Sequence, residues 1–203
     1  MIMHTKFALT AFLVLGLLVL GAAAQERLKS PPLSESKAEK LSPELQEGAK
    51  KLGAWLTGGE FMRDKDYEKA AEVFKQAIRL WPDEANWHYY LGMCYGELGR
   101  YQEAEVAYKQ AIRLDPNDYN SIFSLGFIYM RMGRHEEAVT AFKQAIPACK
   151  QAIRHNPDNV QAHYCLGMLY LTLKGRPAAF EEYKILQTLD KKMANELFNS
   201  IYK

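Results

Sequence analysis

Two kinds of apolar pattern divide the chain. From Phe7 to Leu20 the residues are apolar without a period, interrupted only by Thr10 and Gly16. Beyond residue 42, apolar and polar positions alternate with the spacing of amphipathic helices. Leu91, Gly92 and Tyr95 fall on one face, as do Leu125, Gly126 and Tyr129, and Leu166, Gly167 and Tyr170. Ser42-Pro43-Glu44 reads as the start of the first such helix, with Ser as N-cap and Pro in the first turn.

The pattern repeats. "YEKAAEVFKQAIRLWPDE" from Tyr67 aligns with "YQEAEVAYKQAIRLDPND" from Tyr101 at an offset of 34 residues, and "HEEAVTAFKQAI" from His135 lies a further 34 along. Upstream, "HYYLGMCYGELGRY" from His88, "IFSLGFIYMRMGRH" from Ile122 and "HYCLGMLYLTLKGRP" from His163 match one another. Gly92, Gly126 and Gly167 each cost about 1 kcal/mol of helix propensity relative to Ala, which is consistent with a second helix approaching closely. Gly99 and Gly133 suit a tight turn after the first helix. In the second helix Ala70, Ala104 and Ala138 are small at the crossing, Phe74, Tyr108 and Phe142 fill the space beside them, and Pro82, Pro116 and Pro157 end it.

These residues resemble the tetratricopeptide repeat family over about residues 51–189. The resemblance implies an all-α fold, a right-handed α-solenoid of about four antiparallel helix pairs, with a capping helix at 190–202 and a concave inner surface. The implied folded domain is 43–203, with repeats at 51–84, 85–118, 119–159 and 160–189. A single helix pair cannot cover its own apolar face, so stacking is also what the physics requires. The first repeat departs most: Thr57 stands where the others have Leu, and Gly58-Gly59 doubles the glycine.

The third repeat holds an insertion of seven residues. "KQAI" occurs at Lys143–Ile146 and again at Lys150–Ile153, with Pro147-Ala148-Cys149 between. Seven residues turn a helix by roughly two full turns, within ~20°, so Ala152 and Ile153 return to the face of Ala145 and Ile146 about 10.5 Å farther along. The expectation is either a protruding second helix bent at Pro147, with the fourth repeat displaced from regular stacking, or a neutral duplication absorbed as a bulge.

The unpatterned N-terminal run reads differently. His4 and Lys6 precede it, Gly21 and three alanines follow, and Ala22 with Ala24 fit the A-x-A cleavage rule. Its ~14 residues span about 21 Å as a helix, short of the ~30 Å of a bilayer core. Residues 1–24 are therefore expected to be a signal peptide, the alternative being an uncleaved N-terminal anchor within residues 7–24, which alone would bring a membrane into play. Either reading places the body outside the cytosol, periplasmic or secreted. Residues 25–42, with Pro31, Pro32, Ser34, Ser36 and few large apolar groups, read as a flexible linker.

Composition adds limits. The 203 residues include 26 Lys plus Arg against 24 Asp plus Glu, a formal charge of +2 that does not suit a dedicated nucleic-acid binder. Three cysteines are too few for a disulfide scaffold and lack metal-ligand spacing. Cys94 and Cys165 read as structural thiols too far apart to bridge, leaving Cys149 on the insertion as the candidate for redox or intermolecular chemistry. His88 and His163 share one repeat position on the packed face and read as structural. No HExxH, phosphate-cradling loop, nucleophile elbow or paired acidic motif is present, so no catalytic residue, metal site or cofactor is expected, and repeats, linker and signal leave no stretch for a catalytic domain.

The resemblance assigns the inner groove mainly to the first helix of each repeat. Carried over residue by residue, it places Trp55, Tyr89, Phe123 and Tyr164 at one position, then Gly59, Met93, Phe127 and Met168 one turn on, and Met62, Met130 and Leu171 after that. Asn86, Asn120 and Gln161 add amides at the edge. The Leu, Gly and Tyr set already fills the packing face, so these residues are candidates for a partner-binding groove. Arg63 and Arg131 are its only cations, which does not fit the carboxylate clamp of the family's chaperone-binding members. An apolar groove of this kind suits a partner's amphipathic helix or extended peptide, or, alternatively, a second copy of the chain in a homo-oligomer; a third reading makes the repeats an accessory subunit of an enzyme complex.

Overall fold

In a computed structural model of the protein, residues 42–202 are described, and among them there are nine α-helices and no strand. In chain order they are α1 (Pro43–Arg63), α2 (Tyr67–Leu80), α3 (Ala85–Glu97), α4 (Tyr101–Leu114), α5 (Tyr119–Arg131), α6 (His135–His155), α7 (Val160–Thr172), α8 (Arg176–Leu189) and α9 (Lys191–Ile201). The expected signal peptide at 1–24 and nearly all of the linker lie outside the described residues. No helix among the described residues is long and apolar enough to cross a membrane.

The chain divides into two units, Met1–Ala49 and Lys50–Lys203. Of the first, the described part is the opening of α1, where the Leu45 amide donates to Ser42 Oγ at 3.4 Å and caps the helix.

In the second unit, α3–α4, α5–α6 and α7–α8 pack as hairpins, and each hairpin packs on the next through α4–α5 and α6–α7. The first helices also meet one another, α3 against α5 and α5 against α7, which puts them on the inner side of the stack. This is an α-solenoid of helix pairs, closed at its C-terminal end by α9, which packs on both α7 and α8.

The glycines are where the sequence requires close approach. A Cβ built at Gly92 would lie 2.8 Å from Tyr108 Cε1, and one at Gly126 would lie 2.7 Å from Phe142 Cδ1. Gly58 meets Phe74 in the same way. Phe74 and Phe142 are fully buried, and burying such a ring contributes roughly 1.5–3 kcal/mol. The fourth repeat uses a different solution: Gly167 receives Leu197 of α9, whose Cδ2 would lie 2.6 Å from an added Cβ.

The turns follow the same period. Gly99 and Gly133 sit at φ 72° and 73°, the left-handed region that glycine enters without penalty. The equivalent positions of the first and last repeats carry Lys65 at φ 60° and Lys174 at φ 62°.

The insertion resolves into a register match. Helix α6 runs unbroken from His135 to His155 through the exposed Pro147. The extension does not stand free as expected, because Ala148 and Cys149 are buried along with Ala138, Phe142 and Ala145. Each "KQAI" serves one neighbour. The first places Ala145 in its own repeat's core, as Ala77 and Ala111 are placed. The second brings Lys150 over the Tyr170 ring at 6.0 Å, as Lys75 lies over Tyr95 at 5.7 Å and Lys109 over Tyr129 at 5.9 Å. It also ends the helix, with the Asn156 amide donating to the Ala152 carbonyl as Trp81 does to Ala77 and Asp115 to Ala111. The fourth repeat therefore docks in the same manner as the others.

Candidate functional site

The first helices carry the groove residues because their opposite face is committed to the core: Leu91, Tyr95, Leu125, Tyr129 and Leu166 are all buried. The eleven candidates take three different environments. Trp55, Phe127 and Met130 are open, with 47%, 39% and 42% of their surface exposed, and Asn86 is exposed as well. Met62, Tyr89, Met93 and Phe123 are half-buried against the main core, and Asn120 is half-buried at the start of α5, where its amide donates to Asp118 Oδ1 at 3.0 Å. Tyr164 and Met168 are half-buried against a separate cluster formed by Ala179, Leu186, Ala194, Leu197 and Ile201. Those two are seated on the C-terminal cap.

Two aromatic groups stand along this face. In the first, Trp55 Nε1 donates to the Tyr90 hydroxyl at 3.1 Å, Tyr90 stacks on Phe74 at 5.2 Å, and Tyr89 meets Tyr90 edge-on at 5.3 Å. In the second, Phe123 and Phe127 meet edge-on at 4.7 Å over Phe142. Between the groups Ser124 lies beside Tyr89 and Tyr108, while burial pushes the Tyr89 phenol up to about 12. A cavity of about 640 Å³ opens there, lined by Met93, Tyr101, Phe123, Phe127 and Arg131 among others. Arg131 closes its rim, its guanidinium donating to the Tyr101 hydroxyl at 3.2 Å. The arrangement is an aromatic recess whose lining also carries one anion, Glu97, and one cation, Arg131, and its apolar part suits a large apolar side chain.

Tyr90, Tyr101 and Ser124 were not among the sequence candidates. Tyr90 directly follows Tyr89, and an aromatic pair on a helix that already has a packed face was the signal for it. A second, larger cavity of about 950 Å³ lies on the opposite side, between α2 and α4, where Lys75, Arg79 and Arg113 rim Ile78, Leu91 and the 69%-exposed Val106. The repeated "KQAIR" was its signal.

The other candidates take structural roles. His163 is buried, with Nδ1 2.7 Å from Glu182 Oε2 and Nε2 2.9 Å from the Pro157 carbonyl. His88 makes the same link to the Pro82 carbonyl at 3.1 Å but is half-exposed rather than packed. Cys149 is fully buried, which corrects the expectation that the insertion presents it for intermolecular chemistry. Cys94 is buried too, and desolvation raises its thiol to about 12. Among the described residues, no group of three or more His, Cys, Asp or Glu side chains is placed to hold a metal.

Charged pairs decorate the outer helices. Glu105, with 13% of its side chain exposed, takes Lys109 at 2.7 Å and Arg134 at 2.6 Å. Burial alone raises its carboxyl, but the hydrogen bonds and charges of Lys109 and Arg134 outweigh it and hold the carboxyl below the ordinary value.

Comparison with known proteins completes the picture. Tetratricopeptide repeat families match residues 58–119, 97–148 and 148–179. No curated protein matches the sequence at a significant level. Among solved structures, the thermophilic TPR protein TTC0263 of Thermus thermophilus is 22% identical, with 74% of this chain and 82% of that one covered at a TM-score of 0.58. MamA is 25% identical over 68% of this chain and 77% of its own, at a TM-score of 0.45. The second TPR of Spaghetti (RPAP3), bound to the HSP90 peptide SRMEEVD, is 24% identical over 51% of this chain and 95% of its own, at a TM-score of 0.48. The three family matches run without a gap from residue 58 to 179, over the three helix pairs that share the glycine–aromatic contact and into the fourth, and the chain belongs to the tetratricopeptide repeat family.

Proposed function

We propose that the protein is an exported, non-enzymatic interaction scaffold of a cell-envelope assembly, which captures a helix or extended peptide of another protein along its inner face. Repeats of this family are generally protein-interaction modules. The observation that carries the finer reading is the exposure of Trp55, Phe127 and Met130 on the first helices, with Phe127 lining the recess at Phe123. Large aromatic and thioether groups left open on a helix with a filled core face are surplus to folding, and each that a partner buries contributes roughly 1.5–3 kcal/mol. Methionine adds adaptability to the shape of the occupant. Export rests on the apolar run Phe7 to Leu20 and the A-x-A site at Ala22 and Ala24.

The test is a photo-crosslinking amino acid at Phe127 in cells producing the full chain, with and without Trp55→Ala and Met130→Ala. A discrete crosslinked partner that disappears in the double variant, with helicity unchanged by circular dichroism, is the expected result. Undiminished crosslinking in the folded variant refutes the groove. Light scattering over a concentration series separates the homo-oligomer reading, which requires a mass that grows with concentration and a crosslink to the chain itself.

A further inference from the structure

At each junction between repeats, one residue of the second helix meets the residue sixteen positions later in the following first helix. Between the first and second repeats the pair is Phe74 and Tyr90, stacked at 5.2 Å. Between the second and third it is Tyr108 and Ser124, neighbours in the wall of the same recess. The insertion preserves the register with the fourth repeat, so the same two positions there are Cys149 and Cys165. Both are fully buried, in one core cluster with Ala145, Ala148 and Ala162, whose small side chains let α6 and α7 approach. Of the groups around it, Cys149 is the one that raises the Cys165 thiol most, which makes the two neighbours across the α6–α7 contact. Without the seven added residues, Cys149 and its place opposite Cys165 would not exist.

We propose that Cys149 and Cys165 form an intramolecular disulfide that locks α6 to α7, while Cys94 stays a free thiol. Positions 128 and 169, which correspond to Cys94 in the other repeats, hold Ile128 and Leu169, so Cys94 has no repeat-related cysteine. The oxidant is the disulfide of a small molecule or of a thiol–disulfide exchange protein. One cysteine thiolate attacks a sulfur of that disulfide, a mixed disulfide forms, and a first thiolate leaves. The second cysteine then attacks the protein sulfur of the mixed disulfide, forming the Cys149–Cys165 bond and expelling the second thiolate. The two electrons reduce the incoming disulfide to two thiols, which take up the two protons that the cysteines lose. The exchange belongs to folding, before α6 and α7 close. In the closed core the neighbouring Cys149 and burial push the Cys165 thiol far above its ordinary range, so it is a poor nucleophile there. The inference is independent of the partner groove and is tested without it.

The experiment refolds the reduced, denatured full chain in a glutathione redox buffer, alkylates free thiols in denaturant and maps the peptides. The expected result is one alkylated residue, Cys94, and a linked peptide joining Cys149 to Cys165. Cross-linking a loop of this length raises the melting temperature by about 6–12 °C over the reduced chain. That difference persists in Cys94→Ser and vanishes in Cys149→Ser and in Cys165→Ser. Three alkylated cysteines after refolding, or a disulfide that includes Cys94, overturns the proposal, and either result is read on the unmutated chain.

Discussion

The glycine–aromatic contact makes a quantitative claim about Gly126. An alanine there places a methyl group 2.7 Å from Phe142 Cδ1 and 3.1 Å from Cζ, and nearer still to Cε1. Carbon atoms prefer 3.5–4.0 Å, so the ring must retreat by about 1 Å. It has nowhere to go: Phe142 is fully buried, with Phe127 5.4 Å and Phe123 5.9 Å away on the groove side. The overpacking penalty belongs at the upper end of the usual range, about 3 kcal/mol. Replacing glycine in a helix interior returns about 1 kcal/mol, which leaves a net loss of about 2 kcal/mol. In a body of this size the melting temperature should fall by about 4–8 °C. Gly59→Ala is the control. Nothing lies within 4 Å of its added Cβ, so only the propensity gain of about 1 kcal/mol remains and the melting temperature rises. The assay is thermal unfolding followed by circular dichroism, with urea midpoints as a check, since repeat arrays unfold less cooperatively than single-core domains. Combining Gly126→Ala with Phe142→Leu, which vacates ring volume, should recover at least 1 kcal/mol of the summed losses. A Gly126→Ala protein that melts at or above the unsubstituted temperature refutes the reasoning, because steric contact would then not be the reason for glycine.

Two further outcomes follow from the turns and the outer face. Lys174→Gly relieves a left-handed backbone at φ 62°; relief of about 1–2 kcal/mol against glycine's greater chain entropy of about 1 kcal/mol predicts a gain of up to about 1 kcal/mol in thermal unfolding. Glu105→Gln tests the Lys109–Glu105–Arg134 cluster. Because the folded carboxyl titrates below its unfolded value, its stabilisation is complete above the ordinary carboxylate pKa and is lost as pH falls through the folded one. The variant should be about 1–2 kcal/mol less stable at pH 7, with the difference shrinking toward zero in urea titrations carried to pH below the ordinary carboxylate range.

Much of the fold was legible in the sequence because a repeat states each rule several times. Helices α3, α5 and α7 start at Ala85, Tyr119 and Val160, and the glycine–aromatic spacing of sixteen residues recurs at Gly58, Gly92 and Gly126. The period is least informative where a residue's neighbour is not its counterpart in another repeat. Gly167 pointed by spacing to Tyr183, yet Leu197 fills that slot because α9 folds back over α7. The same packing draws Tyr164 and Met168 into the cap cluster, although their positions in the pattern equal those of the open Trp55 and Phe127. Cys149 was misread for a related reason. An insertion looks like surplus chain, and its burial becomes visible only when Lys150 is counted as the equivalent of Lys75 and Lys109. The chemistry of the inner face was visible as a list of residue types. Which of them stay open was not, since that depends on how far each neighbouring helix leans across.

The duplicated "KQAI" in α6 has a consequence for how such a chain can change length. A helix that must satisfy one neighbour before the insertion and another after it behaves as a spacer with a fixed gauge. Adding seven residues leaves both contact faces in phase, because the return is within ~20° of two whole turns. Three or four extra residues would instead leave one turn's length but swing Lys150 and Cys149 away from α7 by some 40–60°. Growth in whole heptads is thus a route by which the gap between two consecutive modules can be widened in steps of about 10.5 Å without redesigning either surface that they share.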